Sequence, residues 1–427
     1  MAAPGDGPAQ GETGSMNKTF AAFLFLAALS PASAQMAPFE KSFDAALTEH
    51  GVIGGGFAFV HGKDPAIEHF FGLQKAGGGR KIDAETAYNW ASITKTMTAI
   101  AIMQLRDRGL LSLDDPAVNY VPELRLVHDG FGKIDAVTIR QLLTHSAGFR
   151  NPTWPWDCDD AKDCSWQPFE PTKWSQVAAM LPFTHIIFAP GSRWSYSNPG
   201  YVFLGQIVER LSGDDIEIYI DKNILKPLEM HASYFDRAPY FLEPHLSASY
   251  LRAGAKLTVQ PFDFDTGITA ANSGLKAPIA DMVNYLRFLV GDPGNPRFDA
   301  VLKRASLEEM WVGGLATGVP GRESDVYSGG PHGEAPRMGL GFFTLDTGGR
   351  AYVFHDGDQG GFSAELLVDP AGHSAGILAV NTTDTGPESG DDPLHAVSNT
   401  DPDPKTDLRQ ALRRILIETV FPSYARH

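Results

Sequence analysis

The chain has 427 residues, with 35 basic and 51 acidic side chains and a net charge of −16. A surface that acidic repels phosphate backbones and argues against nucleic acid as a partner. The length exceeds one typical core, which predicts two packed layers or domains.

The N-terminus reads as a leader rather than as structure. Residues 1–15 are rich in Gly and Pro, and Met16–Ala34 has a basic start at Lys18, an apolar run from Phe20 to Leu29 and an Ala32-Ser33-Ala34 cleavage signal. That run is too short for a membrane span of roughly 20 residues, and no other segment approaches one without a charge or proline. Residues 1–34 are therefore expected to be a leader containing a signal peptide over 16–34, cleaved near Ala34. The mature protein is expected to be periplasmic or secreted, with no stable membrane span and a net charge of about −15.

Next come two predicted strands, 52–60 and 66–71, around the turn His61–Pro65. From Ser92 the pattern turns helical, with Ile93, Met97, Ile100–Met103 and Leu105 surrounding the axis of a buried helix that Gly109 ends. The region from about 110 to 300 reads as helices and long Pro- and Gly-punctuated loops. It holds Cys158 and Cys164, the only cysteines, inside the Trp-rich loop 154–166. In an oxidising compartment the pair is expected to close a small disulfide worth roughly 2 kcal/mol, and the loop either caps a cleft as a lid or lies on the surface. No His or further Cys stands near enough for a metal site.

Strands return at 339–345, 351–355, 361–368 and 374–380, between Gly-Gly, Asp-Gly and Pro-Ala-Gly turns. The acidic stretch 384–404 reads as a solvated loop. An amphipathic helix is predicted over 405–421 from Leu408, Leu412, Ile415, Leu416 and Val420. The expected fold is α+β. An α/β sheet layer is built from 35–110 and 300–427, a mainly helical domain spans 111–299, and a cleft lies where they meet.

Three short motifs carry chemistry. Ser92-Ile-Thr-Lys95 is an S-x-x-K whose spacing puts both side chains on one helical face. A partly desolvated Lys95 can take the serine proton, or lower the hydroxyl pKa as a nearby charge. The same pattern at Ser15 lies in the leader, and at Ser273 in a predicted loop. Tyr196-Ser-Asn198 is the one Tyr-x-Asn of the chain. A tyrosine near a lysine cation can ionise far below pH 10 and act as a base, and the Asn198 amide can meet a substrate carbonyl. His355-Asp-Gly357 ends a predicted strand, where a glycine lets substrate lie along the edge and the Asp358 amide can face an oxyanion. A second His-Asp-Gly, at 128–130, falls in a loop.

Trp90–Ala99, Leu110–Pro116, Thr138–Phe149 and Phe188–Asn198 together resemble the serine β-lactamase and penicillin-binding-protein-like family, over about 45 to 385. That grouping includes class C β-lactamases, D,D-peptidases, D-aminopeptidases and related esterases. The resemblance implies an antiparallel sheet flanked by helices with an inserted helical domain. It also implies Ser92 as nucleophile, Lys95 and Tyr196 as the proton-transfer pair, Asn198 as substrate ligand, and the Ser92 and Asp358 amides as oxyanion hole. No cofactor is implied. His355 replaces the lysine of the class C Lys-Thr-Gly, as in D,D-peptidases and D-aminopeptidases of the family.

Asp356 and Asp358 flank Gly357, so a substrate carboxylate there would meet repulsion of about 1 kcal/mol or more. The expected activity is hydrolysis through an acyl-Ser92 intermediate of short-chain esters or D-amino-acid amides and peptides. β-Lactamase or D,D-carboxypeptidase activity is the alternative, and a non-catalytic β-lactam or peptidoglycan sensor is a reading of another class. No H-E-x-x-H occurs, which removes the zincin reading.

Overall fold

A computed structural model describes residues 31–149, 171, 173–260, 266–291, 295–317, 330–384 and 408–424. Most of the expected leader, both cysteines with their loop, and nearly all of the acidic 384–404 stretch lie outside the described residues.

In chain order the first part contributes α1 (Pro31–Glu49), β1 (Gly54–His61), β2 (Ile67–Gly72), β3 (Ala87–Asn89) and α2 (Thr94–Asp107). The middle contributes α3 (Ile139–Leu143), α4 (Trp174–Met180), α5 (Asn198–Ser212) and α6 (Ile216–Ile220). It continues with β4 (Ser249–Ala253), β5 (Lys256–Gln260), α7 (Ala270–Ser273), β6 (Lys276–Pro278) and α8 (Ile279–Val290). Then follow α9 (Pro296–Val301), α10 (Arg304–Met310), β7 (Arg337–Met338), β8 (Phe343–Thr347) and β9 (Arg350–Gln359). The last elements are β10 (Phe362–Asp369), β11 (Ser374–Val380), β12 (Thr382–Asp384) and α11 (Leu408–Ile415), whose helix winds on to Tyr424.

Seven strands make one sheet in the order β2-β1-β11-β10-β9-β8-β7, with every pairing antiparallel. The two ends of the chain close it at β1 against β11, with Phe57 opposite Leu378 and Phe59 opposite Gly376. Both faces of the sheet are covered, so its central strands are apolar on both sides. Period-two alternation sorts their side chains into two cores. Ala58, Val60, Leu366, Val368 and Ile377 face α2, α5 and α8. Phe57, Phe59, Leu367, Leu378 and Phe354 face α1 and α11.

The middle segment carries three short strands that the sequence pattern does not predict. β4 and β5 form a hairpin beside β12, and β6 pairs with β3. The strand expected over 351–355 runs on through His355-Asp-Gly357 to Gln359. Helix α1 is a further addition. Met36, Phe39, Phe43 and Leu47 recur at helical spacing and are all buried, with Phe39 and Phe43 meeting Phe57 edge-on at 4.6 and 5.2 Å. All four follow Ala34 in the chain.

The terminal helix buries more than its apolar stripe. Arg413 is 1% exposed, and its Nε donates to Glu365 Oε1 at 2.5 Å. The guanidinium also lies 3.6 Å from Asp356 Oδ2 and 4.2 Å from the Phe354 ring centre. Burial pushes the Glu365 carboxyl up to about 7, against the opposing pull of Arg413. Arg413→Met removes this cation from two buried carboxylates and is expected to destabilise the fold by about 3–5 kcal/mol in urea unfolding. Adding Glu365→Gln should recover part of that loss. A single variant within about 0.5 kcal/mol of the parent would mean that water, not Arg413, satisfies the carboxylates.

Candidate active site

Ser92 sits in a single 3₁₀ turn, Ala91–Ile93, that runs directly into α2. The turn is forced into an unusual shape, since Ala91 has φ +46°, a left-handed conformation that costs a non-glycine residue about 1 kcal/mol. Local side chains hold it there. Asn89 Oδ1 accepts from the Ala91 N–H at 2.7 Å, and Thr94 Oγ1 donates to the Ala91 carbonyl at 2.6 Å. Buried Trp90 reaches β6, its Nε1–H donating to the Ala277 carbonyl at 2.9 Å. Strain maintained this way is characteristic of functional sites. The result leaves Ser92 half-buried while every residue of α2 from Thr94 to Leu105 is buried.

One turn further on, Lys95 is fully buried, and its Nζ donates to Ser92 Oγ at 3.0 Å and to the Asn272 carbonyl at 2.8 Å. Tyr196 arrives from the loop before α5, with its ring 5.0 Å from Lys95 Nζ and its buried hydroxyl near enough to Ser92 to feel that side chain. Ser197 caps α5 through its hydroxyl on the Gly200 N–H, and half-buried Asn198 is the first residue of that helix. The three motif residues Ser92, Lys95 and Tyr196 thus meet in one cluster, built from segments a hundred positions apart. Among the described residues, the basic groups of the other copies are engaged elsewhere. Lys276 donates instead to the Asp236 carbonyl at 2.5 Å, and His128 lies in a bridge with His185.

The electrostatics correct one expectation. Burial lowers the Lys95 amine well below an ordinary lysine, against the opposing pull of Asp356. Burial raises the Tyr196 phenol well above its usual value, and Asp356 adds to the rise while the Ser92 side chain works the other way. The phenol is therefore the protonated partner at rest, and the amine is the group that releases a proton readily; the expected phenolate base is not the resting form. His355 is also buried. Its Nδ1–H donates to the Asp356 carbonyl at 2.6 Å, and burial with the nearby Lys95 pushes it down to about 3, so the imidazole is neutral.

Beyond Phe354, which pairs with Phe343, β9 has β10 on one side only, and its other edge runs along the Ser92 turn. Gly357 permits that approach. A Cβ there would stand 2.3 Å from the Trp90 carbonyl oxygen and 3.2 Å from the Ser92 nitrogen.

Asp356 and Asp358 are not the bare acidic pair the sequence suggests. Arg409 of α11 is bonded to Asp358 and lies 3.6 Å from Asp356 Oδ2, and Arg413 lies at the same distance from that oxygen. The two carboxylates are compensated by a helix fifty residues further along the chain. The repulsion expected for an anionic substrate is correspondingly weakened.

A family model described as Beta-lactamase matches residues 39–399. The chain belongs to the Beta-lactamase family. Among curated relatives it is similar to Protein flp of Staphylococcus aureus (strain COL), with 24% identity over 311 residues covering 73% of this chain and 56% of that protein. It is also similar to Esterase EstB of Burkholderia gladioli, with 31% identity over 210 residues covering 47% of this chain and 51% of that protein. The chain spans about half the length of these curated relatives. Among solved structures, the octameric penicillin-binding protein homologue from Pyrococcus abyssi aligns with a TM-score of 0.65 and 26% identity, over 81% of this chain and 73% of that one. Members of the Beta-lactamase family share the antiparallel sheet and flanking helices found here.

Several site groups of this Beta-lactamase family chain escape a reading by motif. The Asn272 carbonyl acts through its main chain, which leaves no side-chain signature. Arg409 and Arg413 carry a visible signal, two arginines four apart on one helical face, but nothing local says which acids they meet. Among the described residues no cluster of three or more His, Cys, Asp or Glu side chains is placed to hold a metal ion.

The Gly357 contacts are with the Trp90 and Ser92 main chain and the Ala91 Cβ, none of which can swing away, so Gly357→Ala must shift either β9 or the nucleophile turn. A displacement near 1 Å is expected to slow Ser92 labelling by a fluorophosphonate about 10²-fold. Circular dichroism should still report a folded sheet. Labelling at the parental rate would mean that β9 does not border the reacting atoms.

Proposed function

We propose that this chain is an exported serine hydrolase that forms an acyl-enzyme on Ser92, acting on short-chain carboxyl esters and on D-amino-acid amides. The observation that carries the proposal is the 3.0 Å contact of the buried Lys95 amine with the Ser92 hydroxyl, inside one cluster with Tyr196. The neutral amine takes the hydroxyl proton as Oγ attacks the ester carbonyl. The Ser92 and Asp358 amides receive the developing oxyanion, and Asn198 holds the carbonyl side of the substrate. The phenol of Tyr196 gives its proton to the departing alcohol and is refilled from the Lys95 ammonium, which returns the amine to its starting state. Water then enters and attacks the acyl carbon, passing its proton to the same pair, which returns that proton to Ser92 Oγ as the bond to it breaks and the acid leaves.

The ester preference is supported by the neutral state of His355, which offers no cation to a substrate carboxylate, and by the similarity to Esterase EstB. The acylated but silent sensor fares less well, because the amine touches the serine and the Tyr196 ring stands 5.0 Å from that amine, a pair suited to a second proton transfer. Export is supported by the leader pattern and by the two cysteines of the chain.

A fluorophosphonate should label Ser92 and nothing else, and Ser92→Ala should abolish labelling and p-nitrophenyl ester turnover together. Lys95→Ala and Tyr196→Phe should each slow turnover about 10²–10⁴-fold. Lys95→Arg should be equally inactive, since a guanidinium keeps its proton. In the parent, kcat/KM should climb with pH as Lys95 deprotonates, with a midpoint below that of an ordinary lysine. Label on Ser146 or Ser273, or full turnover by Lys95→Arg, would overturn the assignment.

One observation favours β-lactamase or D,D-carboxypeptidase activity as a second reading, namely the Arg409 pairing that masks Asp356 and Asp358. Matched neutral and carboxylate-bearing esters separate the two. Arg409→Gln should lower kcat/KM for the anionic ester about fivefold relative to the neutral one, the effect of about 1 kcal/mol of exposed repulsion. If the parent already prefers the anionic ester and turns over nitrocefin, the second reading replaces the first.

A further inference from the structure

His145 is 1% exposed and lies just past α3 with φ +53°, a strained setting for a residue outside the three chemical motifs. It grips the chain on both sides of Tyr196. Its main-chain carbonyl accepts from the Ser195 N–H at 2.8 Å, and its ring Nδ1 accepts from the Ser197 N–H at 3.0 Å. Between those two bonds the imidazole packs on the phenol, with ring centres 4.4 Å apart and planes inclined by 34°. Its other ring contacts are Tyr201, at 5.1 Å, and Trp194, at 6.4 Å. Tyr201 is itself tied back to the same turn, its hydroxyl donating to the Leu143 carbonyl at 3.0 Å.

We infer that His145 is a positioning residue for Tyr196, setting the phenol against Ser92 and Lys95 by clamping the peptide on either side of it and backing its ring. This rests on the proton-transfer role proposed for Tyr196. His145 is not itself a proton carrier. A ring nitrogen that accepts from a backbone N–H holds no proton, so the imidazole is the neutral tautomer protonated at Nε2. Burial and the neighbouring Lys95 act in the same direction, lowering its pKa well below that of a free histidine. What the residue supplies is geometry. Tyr196 lies on a loop, and a loop side chain needs fixed points to hold a hydroxyl within hydrogen-bond reach of a nucleophile.

Two substitutions divide the clamp. His145→Asn keeps an acceptor near the Ser197 N–H and tolerates the left-handed backbone, but removes the ring. His145→Phe keeps a ring against Tyr196 and leaves the Ser197 N–H buried without its acceptor. On a p-nitrophenyl ester, kcat is expected to fall about 10-fold for the first and about 10²-fold for the second, with KM within about threefold of the parent. The deciding measurement is the same pair made in a Tyr196→Phe background. If His145 works through the phenol, each should then cost less than about twofold further. Should His145→Phe fail to fold, His145→Asn decides alone. Parental kcat in His145→Asn, or the full loss repeated on top of Tyr196→Phe, overturns the positioning role while leaving that of Tyr196 intact. A fully active Tyr196→Phe enzyme overturns both.

Discussion

The Lys95 amine lies where water does not reach, between the Ser92 hydroxyl and the Asn272 carbonyl, and the chemistry of the cleft depends on that burial. An ammonium in such a place loses most of its hydration, and two acceptors at 2.8 and 3.0 Å replace only part of it. The same burial, acting on its neighbours, keeps the Tyr196 phenol protonated and the His145 and His355 rings neutral. The cluster is therefore a set of uncharged donors and acceptors around one amine whose charge is easily removed. In that state a serine proton can move without separating charge across an aqueous gap.

The negative side of this balance comes from β9 and is regulated from the far end of the chain. Asp356 is buried behind the site and is the acid that favours the charged amine. Its own field is shared with Arg409 and Arg413, and Arg413 in turn is shared with Glu365. A helix that covers the opposite face of the sheet thus sets how much negative potential the cleft feels. Buried ion networks of this sort add little net stability, but removing one member leaves the others unpaired. The C-terminal helix is in this sense part of the site, although none of its side chains bonds to Ser92 or Lys95 among the described residues.

Much of the fold was legible because its signals are local. The strands β1 and β2 around their turn, the apolar surround of α2 and the stop at Gly109 each follow from patterns within a dozen residues. The Ser92–Lys95 pair was legible for the same reason, since a separation of three on a helix implies contact whatever surrounds it. Tyr196 and His355-Asp-Gly357 were found by type and order, and the structure brings both to the serine. The short strands β4, β5 and β6 were not legible. Each is held by partners far away in sequence, as β6 is by β3, and lacks an apolar repeat of its own.

The sequence by itself determined which residues can do chemistry here, because a nucleophile, an amine and a phenol are properties of side chains and of short spacings. Only the tertiary structure decided their state. Burial depends on what packs around a group, and here that reverses the expected ionisation of Tyr196. The pairing of Asp356 and Asp358 depends on where a helix fifty residues away comes to rest, and here it masks charges that read as bare. The grip of His145 on both neighbours of Tyr196 depends on a left-handed turn whose register no pattern specifies. Electric field and solvent access are sums over everything nearby in space, so a linear chain carries them only once it has folded.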